Sequence, residues 1–458
     1  MAAIAFPPAC GSCGRRRPIA PRSGSISGPP VRLCFEVTAL ARPVATELTP
    51  RAPPMRRRQP APPLNAVVSR LAFGSCANQS ARQPIWDAIV EFDPQVFIWL
   101  GDNIYGDNRR PLRLFGVEAT IGPWKNTPRF FPSTEVELRR RYQLAKSQPG
   151  YGRLRQRTRV IGTWDDHDYG LNDAGKEFGG KNISQRLLLD FLDEPEDSPR
   201  RKQAGVYASY VFGPHGQQVK WEWLEKELYG PETEITIIAS SIQVVSNLSA
   251  TTGPFFYMES WGRFPKERER LYQLIAKSKR GGVFFISGDV HFAEITRSDC
   301  ACEYPLYDFT SSGLTQAVER AVPPPLHYLL RIAAWLTPTT MRVYSPTCQY
   351  KSCAYGKPNF GSIQIDWSTV PPRIKIEVRS VNGDPVNMVE LSLAELQPKR
   401  LNRVRAQGIY QRHCSLEVEL PWFLRYRLAF AFLGSITSNV LGFFSIKNWD
   451  PNSLLHSS

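Results

Sequence analysis

One stretch decides the fold: residues 97–107 read FIWLGDNIYGD. An apolar run ends abruptly at Gly-Asp, which predicts a buried strand whose last residues turn outward at its carboxyl end. Open α/β sheets bind their ligands at that edge. Asp102 is therefore predicted to be a carboxylate at a strand end, with Tyr105 one tight turn later and Asp107 two residues after it.

Three further apolar runs end in a similar way. They are residues 70–76 (RLAFGSC), 160–168 (VIGTWDDHD) and 283–291 (VFFISGDVH). A single Gly-Asp after a strand is an ordinary turn, but here four strands each end in a residue type that binds metal ions. We therefore predict that the four strand ends converge on one site.

Length and charge limit the classes of function. A chain of 458 residues is long enough to bury a large core in one or two domains. The net charge is +15, but residues 1–70 hold eleven arginines and two glutamates, which leaves a modest +6 for the rest. The basic isoelectric point therefore gives no reason to expect nucleic-acid binding.

The chain is predicted to have three parts. Residues 1–68 are rich in proline and arginine and poor in acids, as in a disordered extension; the segment resembles a transit peptide, or it has no targeting role. Residues 69–396 alternate strands and helices, which is typical of an α/β domain. Residues 397–458 form a tail in which 428–446 carry no charged residue, so this segment either spans a membrane or forms an interfacial or buried helix.

The compartment stays open at this stage. The N-terminal composition favours a plastid, whereas Asn182 and Asn247 lie in glycosylation sequons that matter only on a secretory route. The uncharged segment 428–446 adds a membrane anchor as a third location.

Local patterns predict the order of the elements in the α/β domain. The predicted strands are 71–74, 96–100, 160–163, 205–212, 234–239, 283–286, 306–310, 359–367 and 373–378. The predicted helices are 84–92, 133–148, 182–192, 221–229 and 265–278. Residues 106–132 form a long loop of the kind that often covers a site.

Nine cysteines are too sparse for a disulfide scaffold. Cys300 with Cys302 and Cys348 with Cys353 are the pairs that would form surface disulfides in an exported protein. Free thiols are the equal alternative.

The strand ends supply donors for two metal ions. Hard cations take oxygen ligands, and ferric-like sites also accept phenolate and thiolate. The candidate ligands are Cys76, Asp102, Tyr105, Asp166, Asp289 and His291. Two ions in such a cage would hold a phosphate ester and activate a water molecule, and His167 is placed to protonate the leaving oxygen.

Simpler interpretations stand beside this one. Cys76 alone is more often a buried apolar residue than a ligand, and a lone tyrosine or histidine near a turn usually serves packing. The acids would also suit a calcium or magnesium site without catalysis. What separates His167 and His291 from the other four histidines is that both lie in acidic clusters at strand ends.

Together, in this order, the motifs resemble those of the PhoD-like alkaline phosphatases and phosphodiesterases, a branch of the calcineurin-like metallophosphoesterases. The sequence around the motifs is similar to that of plant members. The resemblance covers residues 70 to 395. It implies hydrolysis of phosphate esters in a four-layer αββα sandwich with two mixed β-sheets and a metal centre between them.

The resemblance also implies roles for the candidate ligands. It implies a ferric ion held by Cys76 and Tyr105 with His291 beside them, and a bridging carboxylate at Asp102. A second ion, calcium, would fall to Asp166 and Asp289. His167 takes the place of the catalytic histidine, and Asp166 is favoured over Asp165 because it directly precedes that histidine.

One segment departs from the family pattern. After the strand at 205–212, relatives carry another strand and a site loop, but here Val219-Lys220 runs directly into Trp221. A core strand near residue 220 is therefore predicted to be missing, which would leave buried backbone groups unpaired at about 1–3 kcal/mol each. Two alternatives to an active enzyme follow: a non-catalytic, membrane-tethered binding protein, or a defective splice form.

Overall fold

Two six-stranded β-sheets and the helices on their outer faces make up the fold seen in the computed structural model. The structure describes residues 63, 65–109, 113–114, 117–118, 130–214, 219–221, 228–230, 232–246, 248, 259–337, 339–398, 413, 421–427, 429–431, 433–434 and 437. These residues belong to one compact unit within 59–458.

The strands and helices have the following bounds. The strands are β1 (Arg70–Gly74), β2 (Val96–Leu100), β3 (Asn108–Arg109), β4 (Arg113–Leu114), β5 (Val117–Glu118), β6 (Phe130–Phe131), β7 (Arg159–Thr163), β8 (Tyr210–Phe212), β9 (Val219–Trp221), β10 (Ile235–Ser240), β11 (Val283–Ser287), β12 (Ala293–Ser298), β13 (Leu306–Ser311), β14 (Asn359–Asp366), β15 (Arg373–Ser380) and β16 (Pro385–Ser392). The α-helices are α1 (Ile85–Phe92), α2 (Glu135–Lys146), α3 (Pro149–Arg155), α4 (Asp166–Tyr169), α5 (Lys181–Phe191), α6 (Pro265–Ser278), α7 (His327–Leu336) and α8 (Trp422–Arg425).

The first sheet has the strand order β16-β15-β14-β1-β2-β7. Strands β1, β2 and β7 run parallel, and the remaining three are antiparallel. Gly74 lies opposite Trp99, and Trp99 lies opposite Gly162. The three parallel strands therefore end in register, which brings their carboxyl ends to one edge.

The second sheet has the order β12-β13-β11-β10-β9-β8. Its four inner strands are parallel, and the edge strands β8 and β12 are antiparallel. Ser287 at the end of β11 lies between Ser240 of β10 and Thr310 of β13. Both sheets are mixed, as the resemblance implied.

Alternating side chains divide the core into two layers. Phe73 and Ile98 point to the sheet interface, where they share one apolar cluster with Ile237 and Phe285 of the second sheet. The neighbouring residue Trp99 points the other way, into a cluster with helices α1, α2, α3 and α5, because successive strand residues face opposite sides. Leu271 and Ile275 of α6 extend the first cluster, which completes a four-layer αββα arrangement.

Trp86 of α1 anchors the helical layer. Its ring makes edge contacts with Phe97 and Trp99 at 5.3 and 5.4 Å between centroids, and all three rings are buried. Aromatic pairs of this kind are stabilising by about 0.5–1.5 kcal/mol beyond the area that they bury. The layer therefore holds β2, the strand that carries Asp102, from behind.

The core strand predicted to be missing near residue 220 is present in a short form, whereas the predicted loss of the site loop after it stays a prediction. Strand β9 pairs antiparallel with β8 and parallel with β10, and it fills the place between them with three residues. The predicted helix at 221–229 was wrong at its start for the same reason: β10 offers an unpaired strand edge, so Trp221 continues the extended chain. Residues 222–227 lie outside the described part.

Other boundaries differ from the sequence predictions. The predicted strand 205–212 is a strand only over Tyr210–Phe212. Helix α2 is capped by Thr134, whose side chain accepts the backbone N–H of Glu137 in a full capping box, rather than by Ser133. Strands β12 and β16 and helices α3 and α7 were not predicted.

The cysteine predictions are resolved for four residues. Cys348 and Cys353 form a disulfide. Cys302 is buried as a thiol, and its sulfur lies 3.1 Å from the carbonyl oxygen of Tyr304. The predicted pair of Cys300 with Cys302 is therefore not formed.

Among the described residues, none of the helices has the length and apolar character needed to cross a membrane. The predicted segment 428–446 lies mostly outside the described part, and so do the extension 1–62 and most of the tail.

Candidate metal centre

Backbone conformation sets the direction of four candidate ligands. Cys76, Asp102, Asp289 and His291 have φ values of 60°, 49°, 69° and 61°. Such left-handed backbone is uncommon outside glycine and tends to cluster at functional sites. Each of the four follows the end of a strand by two to four residues, so the turn that ends the strand also aims the side chain.

Gly101 allows the two parallel strand ends to approach closely. It has a φ of +95°, and a Cβ atom at this position would lie 2.5 Å from Cβ of Asp165. Any larger residue would push the segment of Asp102 away from the segment of Asp166.

The first group of donors comprises Cys76, Asp102 and His291, whose ligand atoms all lie within 4.8 Å of one another. The sulfur of Cys76 is 3.4 Å from Oδ2 of Asp102. Tyr105 joins this group, because its hydroxyl oxygen lies 3.1 Å from Nε2 of His291. One thiol, one phenol, one imidazole and one carboxylate therefore meet at this point.

The second group comprises Asp102, Asp166 and His167, also within 4.8 Å of one another. Asp102 is common to both groups, which suits a bridging ligand. Its Oδ1 atom is buried and has no hydrogen-bond partner among the described residues. A buried carboxylate oxygen usually has one, so this atom fits a ligand to a cation.

Asp289 lies beside both groups. Its backbone carbonyl oxygen is 3.7 Å from the sulfur of Cys76. Burial raises the pKa of its carboxyl well above the usual value, and the charges of Asp165, Asp166 and Asp102 act in the same direction. The carboxyl therefore lies within electrostatic reach of the other acids, although it is not a member of either close group.

The adjacent acids Asp165 and Asp166 have different roles. Asp165 is the N-cap of α4 and forms a capping box with Asp168. Asp166 belongs to the second donor group, and its Oδ2 accepts the backbone N–H of Asp173 at 2.7 Å. This arrangement favours Asp166 as the ligand.

Burial and crowding of acids dominate the electrostatics. Burial raises the pKa of Cys76, with added repulsion from Asp102 and Asp289. Burial, followed by the charge of Asp166, raises the pKa of Asp165 to about 7. A multivalent cation would favour the ionised form of every one of these groups, so the donor set fits a metal centre.

The two histidines respond in opposite directions. Burial lowers the pKa of His291 to about 4, and the charge of His167 acts in the same direction. Burial also opposes protonation of His167, but the charges of Asp166 and Asp102 outweigh it and raise its pKa. His291 is therefore a neutral imidazole, which is the form that ligation requires.

Asp107 is a site residue to which the sequence gave no role. Its Oδ1 lies 2.8 Å from Nδ1 of His167, and its Oδ2 accepts the backbone N–H of Asn172 at 2.9 Å. The signal was present, since Asp107 is the second acid of the stretch 97–107, but its partner is 60 residues away in the chain.

Asp168 is the second residue that sequence reasoning passed over. It is fully buried, and its carboxylate accepts the backbone N–H groups of Asn103, Ile104 and Asp165 at 3.1, 3.3 and 3.2 Å. It also accepts the hydroxyl of Tyr142 at 3.1 Å. Asp168 thus fixes the turn that carries Asp102 to the turn that carries Asp166.

Within the described residues, the predicted covering loop 106–132 reaches the site at Asp107 and again near its other end. The ring of Phe130 lies 5.9 Å from that of His167, edge to face. Most of residues 110–129 lie outside the described part.

Comparison with known proteins gives a family for part of the chain. Residues 71–220 match the family model described as PhoD-like phosphatase. This interval contains Cys76, Asp102, Tyr105, Asp166 and His167, and it ends before Asp289. A search of the curated proteins found no match.

Solved structures include one described as "Structure of PhoD". It is 14% identical, covers 73% of this chain and 70% of its own, and superposes with a TM-score of 0.48. A likeness of that size carries no argument about residues or chemistry.

Proposed function

Residues 71–220 belong to the PhoD-like phosphatase family, and from this premise we propose that the chain is a phosphoric ester hydrolase with a two-metal centre. The observation that carries the proposal is the position of Asp102 between two groups of candidate ligands. Two groups of candidate ligands share it, and one of its buried oxygens has no hydrogen-bond partner among the described residues.

The donor types favour two different cations. Cys76, Tyr105 and His291 with one oxygen of Asp102 would hold a ferric ion, which accepts thiolate and phenolate. Asp166 and Asp289 with the other oxygen of Asp102 would hold calcium, which takes carboxylate oxygens. When bound, such a pair supplies Lewis acidity that activates water and neutralises phosphate oxygens.

His167 and Asp107 supply the proton transfer. The contact of 2.8 Å with Asp107 fixes the ring through Nδ1, which leaves Nε2 as the nitrogen that protonates the departing oxygen of the ester. Asp107 orients this ring and favours its charged form.

The experiment is hydrolysis of p-nitrophenyl phosphate and bis-p-nitrophenyl phosphate by the purified chain and by Asp102→Asn. The substitution keeps the size of the side chain but removes the bridging charge, so we expect activity to fall roughly a hundredfold or more. Elemental analysis should find iron and calcium in the parent and a reduced metal content in the variant.

The matched control is Asp197→Asn, an exposed aspartate on the surface of the same domain, which should keep parental activity. Unchanged hydrolysis by Asp102→Asn would refute the proposal.

A second candidate is a metal- or phosphoester-binding protein without turnover. It is favoured by one observation: the family match ends at residue 220, within the three-residue strand β9. Metal content like that of an enzyme, with no turnover of either ester, would support this candidate over the first.

A further inference from the structure

Helix α7 exposes an apolar face. Tyr328 is 69% and Trp335 58% exposed, and Leu329 and Ile332 are exposed as well. The spacing 328, 329, 332 and 335 places these side chains on one side of the helix. Apolar side chains grouped in this way on a soluble domain mark an interaction surface.

The helix is fixed to the body of the domain through Arg331, which lies at the edge of this face with its guanidinium 5.7 Å from the ring centroid of Tyr328. Arg331 donates from Nε and Nη2 to the two carboxylate oxygens of Glu319 at 3.1 and 2.7 Å, and Glu319 is buried. The guanidinium also lies 4.4 Å from the ring centroid of Tyr350. These contacts hold the helix, and with it the exposed face, in a fixed position on the folded domain.

A second apolar surface adjoins the first. Trp422, Phe423, Phe430 and Leu433 are exposed, and the ring of Trp422 lies 5.6 Å from that of Phe430. Arg427 donates from Nη2 to the carbonyl oxygen of Trp335 at 2.9 Å and from Nε to that of Leu336. We call these two surfaces together the α7–α8 surface.

Charge and sequence around the α7–α8 surface point to its partner. Residues 397–427 contain seven lysines and arginines against two glutamates, and residues 428–446 contain no charged residue. Tyrosine and tryptophan beside apolar side chains suit the boundary between lipid headgroups and acyl chains, and basic residues beside them attract anionic lipid. Two copies of so basic a region would repel each other.

We propose that the α7–α8 surface docks on a lipid bilayer that contains anionic phospholipid. The rings of Tyr328, Trp335 and Trp422 lie at the level of the headgroups. The basic sequence 397–427, which leads into α8, favours an anionic bilayer over a neutral one. This interaction is independent of the hydrolysis proposed above.

The test is flotation of the purified full-length chain with vesicles of phosphatidylcholine containing about 30% phosphatidylserine, compared with phosphatidylcholine alone. The parent should float with the mixed vesicles and less with the neutral ones. Ile332→Ser/Trp335→Ser removes apolar contact from exposed positions, so the vesicle-bound fraction should fall about fivefold or more. The melting temperature and ester hydrolysis should not change.

The matched control is Val136→Ser/Leu144→Ser, which removes two exposed apolar side chains from α2 and should float like the parent. Equal flotation of parent and Ile332→Ser/Trp335→Ser would overturn the proposal. So would light scattering that shows a parental dimer, a monomeric double variant and no binding of either to vesicles, because a second copy would then be the occupant.

Discussion

The two halves of the candidate site are built in different ways. The half on the first sheet contributes Cys76, Asp102, Tyr105 and Asp166 and lies within the matched interval 71–220. The half on the second sheet contributes Asp289 and His291 and lies beyond it. Each half is supported by a buried carboxylate, Asp168 in the first and Asp308 in the second. The two carboxylates accept hydrogen bonds from different parts of the chain.

Asp168 acts directly on the turn that carries a candidate metal ligand, because it accepts the backbone N–H groups of Asn103 and Ile104 next to Asp102. Asp308 acts from below: it accepts the hydroxyl of Ser287 at 2.7 Å, two residues before Asp289, and the backbone N–H groups of Val244 and Val245 at 2.7 and 3.1 Å. The first half is therefore positioned mainly by the carboxylate of Asp168. The second half is positioned by a network of buried hydrogen bonds that includes Asp308 and Ser287.

That network continues into a buried ion pair. Arg342 donates from Nε to Oε2 of Glu294 at 2.6 Å, and both side chains are almost fully buried. Oε1 of Glu294 accepts Gln243 and Ser246 at 2.8 and 3.0 Å. Gln243 also donates to Thr310 at 3.0 Å, which contacts Ser287 at 2.9 Å.

The largest expected effect comes from breaking this ion pair. Arg342→Met leaves the Glu294 carboxylate buried without its cation, so the free energy of unfolding should fall by about 3–5 kcal/mol in urea denaturation. The protein that remains folded should also lose part of its specific activity, because the network reaches Ser287, two residues before Asp289. The control Glu294→Gln/Arg342→Met should recover part of the loss; a double variant less stable than the single one would contradict this account of the network.

A smaller loss of stability but a larger loss of activity is expected in the first half. Asp168→Asn turns an amide NH₂ toward backbone N–H donors, so the free energy of unfolding should fall by about 2–3 kcal/mol. Because the turn of Asp102 moves, kcat should fall by about a hundredfold. Tyr142→Phe removes only one hydroxyl from the same carboxylate and should retain most of the activity; equal losses in both variants would mean that Asp168 does not position the site.

The third effect is a pH dependence of stability in the second half. Burial raises the pKa of Asp308 to about 6, above its value of about 3.9 in an unfolded chain. The folded state thus binds a proton that the unfolded state has released, so stability should fall by up to about 3 kcal/mol as pH rises from 4 to 6. Urea denaturation at pH 4.5, 5.5 and 6.5 should show a flatter dependence in Asp308→Asn, and identical slopes would contradict the prediction.

The sequence predicted the strand ends well because each is a local pattern: an apolar run, a turn and a polar residue. The bounds of β1, β2, β10 and β11 agree with prediction within a residue. The ligand roles remain predictions, although the structure brings Cys76, Asp102, Tyr105, Asp166, His167 and His291 together.

What the sequence could not supply was the support around these residues. Asp107 and Asp168 act through partners that are remote in the chain or are backbone groups, so the local sequence shows the acids but not what they bind. Strand β9 was missed because its pairing depends on β8 and β10, whereas its own three residues, Val-Lys-Trp, are too short a run to predict a strand alone. The face of α7 is apolar in sequence, but only its exposure separates it from a core helix.

The left-handed backbone at four donor positions has a consequence for how such a centre can change over generations. Since the main chain already points Cys76, Asp102, Asp289 and His291 inward, a replacement donor inherits the direction of the old one. Asparagine, aspartate and histidine tolerate this conformation far better than β-branched residues do. Substitutions among a few short polar side chains could therefore change which cation such a centre prefers. Valine, isoleucine and threonine are disfavoured at these positions by steric clashes alone.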